Sequence, residues 1–577
     1  VRAFLADSFA DDAWRPNSDF GTGFSPEFSR KIAGQGPRHD FQKTTQGLYL
    51  PTASGKLLGF NNNRGGDRIK RMMKKALDGF RAPAAAGIGR GDRVGLFLPN
   101  VPIYLSAYYG AMMAGATVVN FSPLYSVEEL EQQVADSGTR LLVTVDVPEL
   151  YATAEKVLRG SALRTLVVSS LAEMLPTFKG LAMRVLGRKK IARVSHDESV
   201  LAWREFLARG REGKAALPEV DPHSLALLQY TGGTTGTPKG AMLTHANLSI
   251  NAQQTAGLNP FGDPAHEVFL GALPFFHVFA NTALLNHAVV TGAAIAMVPR
   301  FDAGQVLKTI EKHRAAGFPG VPTMFQALLD HPALAKTDLS SLRVCISGGA
   351  PLPAPLRDKF EAATGVRLVE GYGLTESSGV ISTNPYRGTR KPGTIGQVVM
   401  GTEVLLLDKE DPSILAPDGE PGELALHGPQ IMQGYWNRPD AAKDVFVEHQ
   451  GKTWLRTGDV ATVDEDGFLE IVDRIKDMIA VGGFKVFPSQ VEDVLLEHPG
   501  VKEALVIGRP DSYRGEAPVA YVTLNPGRET SGADLREWLN ARVGKHERVD
   551  EVVIRDELPK TMIGKLDRKA LRAEVLD

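Results

Sequence analysis

Cysteine is almost absent from this 577-residue chain. Cys345 stands alone, which excludes an intramolecular disulfide and a cysteine metal cluster and fits a reducing, cytoplasmic setting. An excess of charge is missing too. With 65 Lys and Arg against 67 Asp and Glu, no bulk positive field exists to hold nucleic acid, and any membrane contact has to be local. The opening VRAFLADSFADDAW has no apolar run before a small-residue cleavage site, so it is not expected to act as a signal peptide. No internal repeat or low-complexity tract stands out. Two stretches do lack charge, Val94 to Val127 and Val268 to Pro299, and each exceeds the roughly 20 residues that a bilayer span needs. However, Pro99, Asn100 and Pro102 interrupt the first, and His277, Asn281, Asn286 and His287 the second, placing polar groups where lipid cannot satisfy them. Both are read as buried core or as the wall of a ligand pocket.

What is present is a regular alternation. RVGLFLP (93–99), RLLVTVD (140–146), LRTLVVSS (163–170) and AAIAMVP (293–299) are rich in Val, Ile and Leu, as buried strands are. Helical patterns such as AGQVLKTIEKHRAAG (303–317) fall between them, which predicts an α/β fold with largely parallel sheets. Near position 474 the texture changes: VDEDGFLEIVDRIKDMIAVGGFKV (463–486) alternates like short antiparallel strands broken by Asp-Gly and Gly-Gly turns. PSQVEDVLLEHPG then offers Ser489 with Glu492 as a capping box before a Val491, Val494, Leu495 stripe. The expected organisation is a large N-terminal domain of layered sheets and helices (83–474) and a small, mobile α+β C-terminal domain (475–577). Residues 1–82 do not follow this logic, and a divergent extension and a reading-frame error rejoining near Ala84 both stand as explanations.

The densest chemistry lies in YTGGTTGTPKGAML, residues 230–243. A Walker A loop places Lys directly between Gly and Ser/Thr, whereas Lys239 follows Pro238 and precedes Gly240. The physics still suits phosphate. Gly232, Gly233 and Gly236 let successive backbone N–H groups point inward, and Thr231, Thr234, Thr235 and Thr237 add hydroxyl donors. An ordinary Gly/Thr surface turn is the alternative.

Other segments bear on that choice. YTGGTTGTPKGAMLTHANL (230–248), LPFFHVFA (273–280), EGYGLTESS (370–378), GELALHGPQIMQGYWNRPDAA (422–442), WLRTGDVATVDEDGF (454–468), DRIKDMIAVGGFKVFPSQVE (473–492) and LPKTMIGKLDRKAL (558–571) occur in the order seen in adenylate-forming acyl-CoA synthetases. The sequence resembles that superfamily over about residues 87–577, and within it the bacterial long-chain fatty acid–CoA ligases.

The resemblance implies a two-step ligase: ATP-dependent acyl-AMP formation with pyrophosphate release, then thioester formation with coenzyme A. Its implied residues are these. Thr231 to Thr237 and Lys239 cradle phosphates; Tyr372 stacks on adenine with Gly349, Gly371, Gly373 and Thr375 around the nucleotide; Glu376 holds Mg²⁺ with Thr231 nearby, as a hard cation needs oxygen ligands. Asp459 and Arg474 bind the ribose. His277 lies at the seam between nucleotide and acyl pocket. Lys565 supplies positive charge to the phosphoryl oxygens during adenylation, a role that suits a compact ammonium. Lys476 matches the hinge about which the small domain rotates, bringing Gly482 and Gly483 to the pantetheine tunnel. Taken alone, most of these residues have bland readings: a solvated lysine, a turn-forming Asp, a core histidine.

The acyl chain is expected in a pocket built from 268–299, VPTMFQALL (321–329) and SGGAPLP (347–353), where each buried methylene contributes about 0.8 kcal/mol. Some relatives carry a gating Trp where this chain has Asn281. SLAEMLPTFKGLAMRVLGRKKIARV (170–194) mixes Leu, Met and Phe with Lys179, Arg184, Arg188, Lys189 and Lys190. It is read either as a peripheral contact with the inner face of the membrane or as a solvated basic surface helix. A homodimer is compatible with this reading, and oligomeric state itself is not legible. Activation of a medium-chain or aromatic acid, transfer to a carrier protein, and a non-catalytic nucleotide- or acyl-binding protein remain open.

Overall fold

The computed structural model describes residues 87–576 apart from 176, 213–217, 232–237, 260–266, 483 and 562–563. The expectations for 1–82, for Gly232, Gly233, Thr234, Thr235, Gly236 and Thr237, and for Gly483 lie outside the described residues.

The Val/Ile/Leu runs become central strands because both of their faces are covered. In spatial order the first sheet runs Val200–Ala202, Thr165–Ser169, Leu141–Val145, Arg93–Phe97, Thr117–Phe121, Leu225–Thr231 and Lys239–Thr244. Its neighbours are parallel except for the final antiparallel pair. The second sheet runs Gln397–Val398, Ser382–Thr383, Leu368–Tyr372, Val344–Gly348, Gly317–Gly320, Val268–Gly271 and Ala294–Met297, parallel from Leu368–Tyr372 onward. The predicted strands thus all form. The charge-free run from Val94 folds into two of them around helix Ile103–Met113, whose Tyr104 and Tyr108 are fully buried. Among the described residues no helix is long and apolar enough to cross a membrane.

A third, antiparallel sheet holds Glu403–Leu407, Gly422–His427, Lys452–Val463, Phe446–His449 and Leu469–Arg474. After the short turn Ile475–Asp477, a fourth forms from Ile479–Val481, Phe484–Val486, Val501–Asp511, Gly515–Leu524 and Glu551–Ile554. Its apolar clusters, drawn from residues 479–571, are separate from the core of residues 88–469. Thr323 Oγ1 donates to Gly564 O (2.9 Å) across the two, and the ion pairs Lys485–Glu410 (3.1 Å) and Lys502–Asp330 (3.2 Å) join them at the surface.

The capping box expected at Ser489 does not form. Helix Pro488–Leu496 has Phe487 at its N-cap and no side-chain cap of its own. Instead Asp473, from the third sheet, accepts the Ser489 N–H (2.8 Å), and Glu492 is drawn inward to accept from Val506 N (2.6 Å) and Arg568 Nη2 (2.6 Å). Val491 and Leu495 are buried as the stripe predicts.

Candidate functional site

In parallel α/β sheets, loops at the carboxyl ends of strands gather into a crevice. Here the ends of Leu225–Thr231, Val344–Gly348 and Leu368–Tyr372 open into one cavity of about 1290 Å³. Thr231, Lys239, His277, Gly349, Gly371, Tyr372, Gly373, Thr375, Glu376, Arg474, Lys476 and Lys565 all line it. Thr231 lies opposite Lys239 in the antiparallel register, so the strands that flank the Gly/Thr segment pair with each other. Gly373 is sterically required: a Cβ there would meet Gly379 O at 2.1 Å.

Asp459 is buried at the cavity's edge, where its Oδ1 accepts from Arg474 Nε (2.9 Å) and its Oδ2 from the Tyr372 hydroxyl (2.5 Å). Burial, then the neighbouring Asp459 carboxylate, push the Tyr372 hydroxyl well above its ordinary range. The turn that presents Asp459 is shaped by Glu423, which accepts from Arg456 Nη2 (2.7 Å) and Gly458 N (3.1 Å). Glu423 went unnoticed in the sequence, since an acid inside a strand carries no periodic signal.

Lys565 arrives from the C-terminal segment. Thr561 Oγ1 accepts its N–H (3.1 Å), Thr561 N donates to its carbonyl (2.7 Å), and the turn is tied to helix Pro322–Leu329 through Thr323. Its side chain passes over Gly349, whose φ is +80°. Burial, reinforced by the positive charge of Arg474, lowers the Lys565 ammonium to about 8. His277 sits in the same quarter, with Nδ1 accepting from Phe279 N (3.3 Å); burial and then the charge of Lys565 lower it to about 3, so it is neutral.

Glu376 and Lys239 line the cavity on either side of Tyr435. Glu376 Oε1 accepts from the Tyr435 hydroxyl (2.7 Å), while the ammonium of Lys239 lies over the face of the same ring, 5.2 Å from its centre. The sequence motif contained Tyr435, but nothing in its pattern marked this bridging position.

On the other side of His277 the cavity follows the sheet. Val344, Ile346 and Gly348 are alternate residues of one strand and all line it, together with Phe269, Ala283 and His287 from the charge-free run. Asn281 is fully buried away from the cavity lining, accepting from Tyr108 Oη (2.9 Å). Residues 321–329 are a correction: Met324, Phe325 and Leu328 are buried, Phe325 packs on Phe318 and Phe360, and none of the segment lines the cavity. Gly482 also stands outside the lining, its N–H donating to Arg514 O (2.7 Å). Among the described residues no cluster of His, Cys, Asp and Glu forms a metal cage.

Similarity to known proteins accords with this geometry. Residues 82–436 match the AMP-binding enzyme family and residues 490–565 the AMP-binding enzyme C-terminal domain. The chain is 38% identical over 491 residues to a long-chain-fatty-acid–CoA ligase of Bacillus subtilis, covering 85% of this chain and 86% of that protein. It is 38% identical over 511 residues to one of Escherichia coli, covering 87% and 89%. Among solved structures, ATP-bound MatB from Rhodopseudomonas palustris superposes with a TM-score of 0.76 at 26% identity, covering 95% of this chain and 98% of that one. The paired strand ends Thr231 and Lys239, a buried carboxylate with its arginine and a lysine from the C-terminal segment meet at one crevice of an adenylate-forming fold, and with matches of this extent the chain belongs to the AMP-binding enzyme family.

Proposed function

We propose that the chain is a long-chain fatty acid–CoA ligase working in two half-reactions. In the first, a carboxylate oxygen of the acid bonds to the α-phosphorus of ATP and the bond to pyrophosphate breaks. In the second, the sulfur of coenzyme A bonds to the acyl carbon and AMP leaves. The observation that carries this reading is the entry of Lys565 into the cavity that also holds Thr231, Glu376, Tyr372 and Arg474. There its ammonium offsets the negative charge that develops on the phosphoryl oxygens.

Asp459, held by Arg474 and Tyr372, is suited to accept from both ribose hydroxyls, and Tyr372 offers an aromatic face to adenine. Neutral His277 marks the passage from nucleotide to acyl chain. The carboxylate of Glu376 and the hydroxyl of Thr231 form the hard oxygen donor set that Mg²⁺ favours; when bound, the ion neutralises phosphate charge. Residues 83–474 act as the body that binds ATP and acid, and 475–577 as the module that turns about Lys476 to exchange Lys565 for Gly482 and Gly483 before the thioester step.

The channel along Val344–Gly348 supports a long acyl chain, since four strand steps of about 3.3 Å give roughly 13 Å of apolar wall beyond the reaction centre. Peripheral membrane contact fits the helix Thr177–Leu186, on which Leu181 and Val185 are 61% and 63% exposed, one turn apart and next to Arg184. The testing experiment is turnover with palmitate, ATP and coenzyme A, following AMP and thioester together. Pyrophosphate exchange across a panel of long-chain, medium-chain and aromatic acids then ranks the substrates, and exchange with none of them refutes the reading.

A further inference from the structure

The segment that contains Tyr435 is stitched to both sides of the phosphate seat. Met242 N donates to Gly434 O (2.9 Å), Trp436 N to Gly240 O (2.8 Å), and Tyr435 bridges to Ala241, which lays the segment against the strand that starts at Lys239. Met432 N donates to the backbone oxygen of Glu376 (2.8 Å). Tyr435 therefore stands between a cation and an anion that line the same cavity.

Its hydroxyl and its ring face each engage one of them. The hydroxyl donates to Glu376 Oε1 (2.7 Å), and the electron-rich ring face carries the Lys239 ammonium at 5.2 Å. No ion pair joins Lys239 to Glu376 among the described residues. Opposite charges facing one partly dry cavity attract strongly, and a closed Lys–Glu pair would fill the space that phosphate oxygens need. A phenol ring satisfies both groups without letting them meet.

We propose that Tyr435 is a positioning residue for the nucleotide: it holds Lys239 and Glu376 a ring's length apart, so that the triphosphate finds the ammonium free on one side and the carboxylate oriented on the other. This rests on the reading of the cavity as the ATP site. Tyr435 acts through its two neighbours.

The test compares the full-length wild type with Y435F, which keeps the ring but loses the hydroxyl, and Y435A, which loses both. Palmitate-dependent pyrophosphate exchange gives KM for ATP and for palmitate. Calorimetry with a non-hydrolysable ATP analogue gives affinity at about 50 and about 300 mM KCl, salt concentrations that bracket a large change in screening. The expected result is a KM for ATP raised about tenfold in Y435A and about threefold in Y435F, the scale of lost charge-assisted contacts. KM for palmitate stays within about twofold. The affinity gap between Y435A and wild type narrows at the higher salt, because screening loosens the Lys239–Glu376 pair.

Equal shifts in both KM values, or a gap indifferent to salt, overturn the proposal, since general loss of structure predicts both. If Y435A fails to fold, Y435F decides, and an unchanged KM for ATP in it is fatal. A wild type that binds the analogue without exchanging pyrophosphate sinks the ligase reading alone, with the calorimetric comparison still deciding Tyr435. A wild type that binds no analogue sinks both.

Discussion

Gly349 and Lys565 occupy mutually exclusive space: a Cβ built on Gly349 would lie 2.5 Å from Lys565 Cε and 2.8 Å from Nζ. The positive φ of +80° at Gly349 points the same way, since a side chain is disfavoured there on backbone grounds as well. Gly349→Ala is expected to displace the ammonium and slow acyl-AMP formation by about 100-fold, the scale of one misplaced electrostatic group. Thioester formation from supplied acyl-AMP should change little. Single-turnover measurement of both half-reactions checks this, and a matched decline in the two would point to damage unrelated to Lys565.

Lys565→Ala should show the same division more strongly, abolishing adenylation while sparing the thioester step. Its pH dependence follows from the lowered ammonium. The group is charged below about 8 and neutral above it, so kcat/KM for ATP in adenylation should be flat up to that point and then fall about tenfold per pH unit. His277, lowered to about 3, adds no limb in the neutral range. Lys565→Arg should move the alkaline limb out of range, and a limb that stays put assigns it to another group.

The Asp473–Ser489 bond caps a helix of the C-terminal segment from a strand that precedes Lys476. Asp473→Ala removes a cap worth about 1 kcal/mol. The adenylation rate should then fall about fivefold relative to the thioester rate, with Asp473→Asn intermediate because its amide oxygen still accepts. An unaltered ratio of the two rates would show that this bond does not hold the arrangement with Lys565 in place.

Val344→Trp places a large ring at the far end of the strand whose alternate residues face the channel. At about 0.8 kcal/mol per methylene, expelling three methylenes costs roughly 60-fold in kcat/KM. Palmitate should suffer that loss while octanoate is nearly unaffected. A uniform effect on both acids would remove Val344 from the acyl path.

The central strands were legible because an unbroken Val/Ile/Leu run has few alternatives to a sheet covered on both faces. Assembly of the site was legible only through the order of the motifs: nothing in the spacing of Thr231, Tyr372, Asp459 and Lys565 says that they meet. Where local pattern competed with a distant partner, the partner won. Ser489 and Glu492 form a good capping pattern, yet Asp473 reaches the helix N-terminus first and Arg568 claims the glutamate. The apolar helix Pro322–Leu329 reads as pocket wall, but its residues pack into the core, leaving Thr323 as its link to the turn that carries Lys565. Tyr435 and Glu423 act by bridging other residues, and bridging leaves no trace in a single sequence.

The fastening of the C-terminal segment has a thermodynamic consequence. Lys485–Glu410 and Lys502–Asp330 are partly exposed, and ion pairs at the surface are worth about 0–1 kcal/mol each. If the C-terminal segment rotates as proposed, these pairs, the Thr323 bond and the Asp473–Ser489 bond weigh against it only modestly, and neither orientation would own a deep minimum. On the proposed reading the populations would follow the occupant of the crevice: triphosphate would recruit the ammonium of Lys565, and departure of pyrophosphate would withdraw the reason for it to stay.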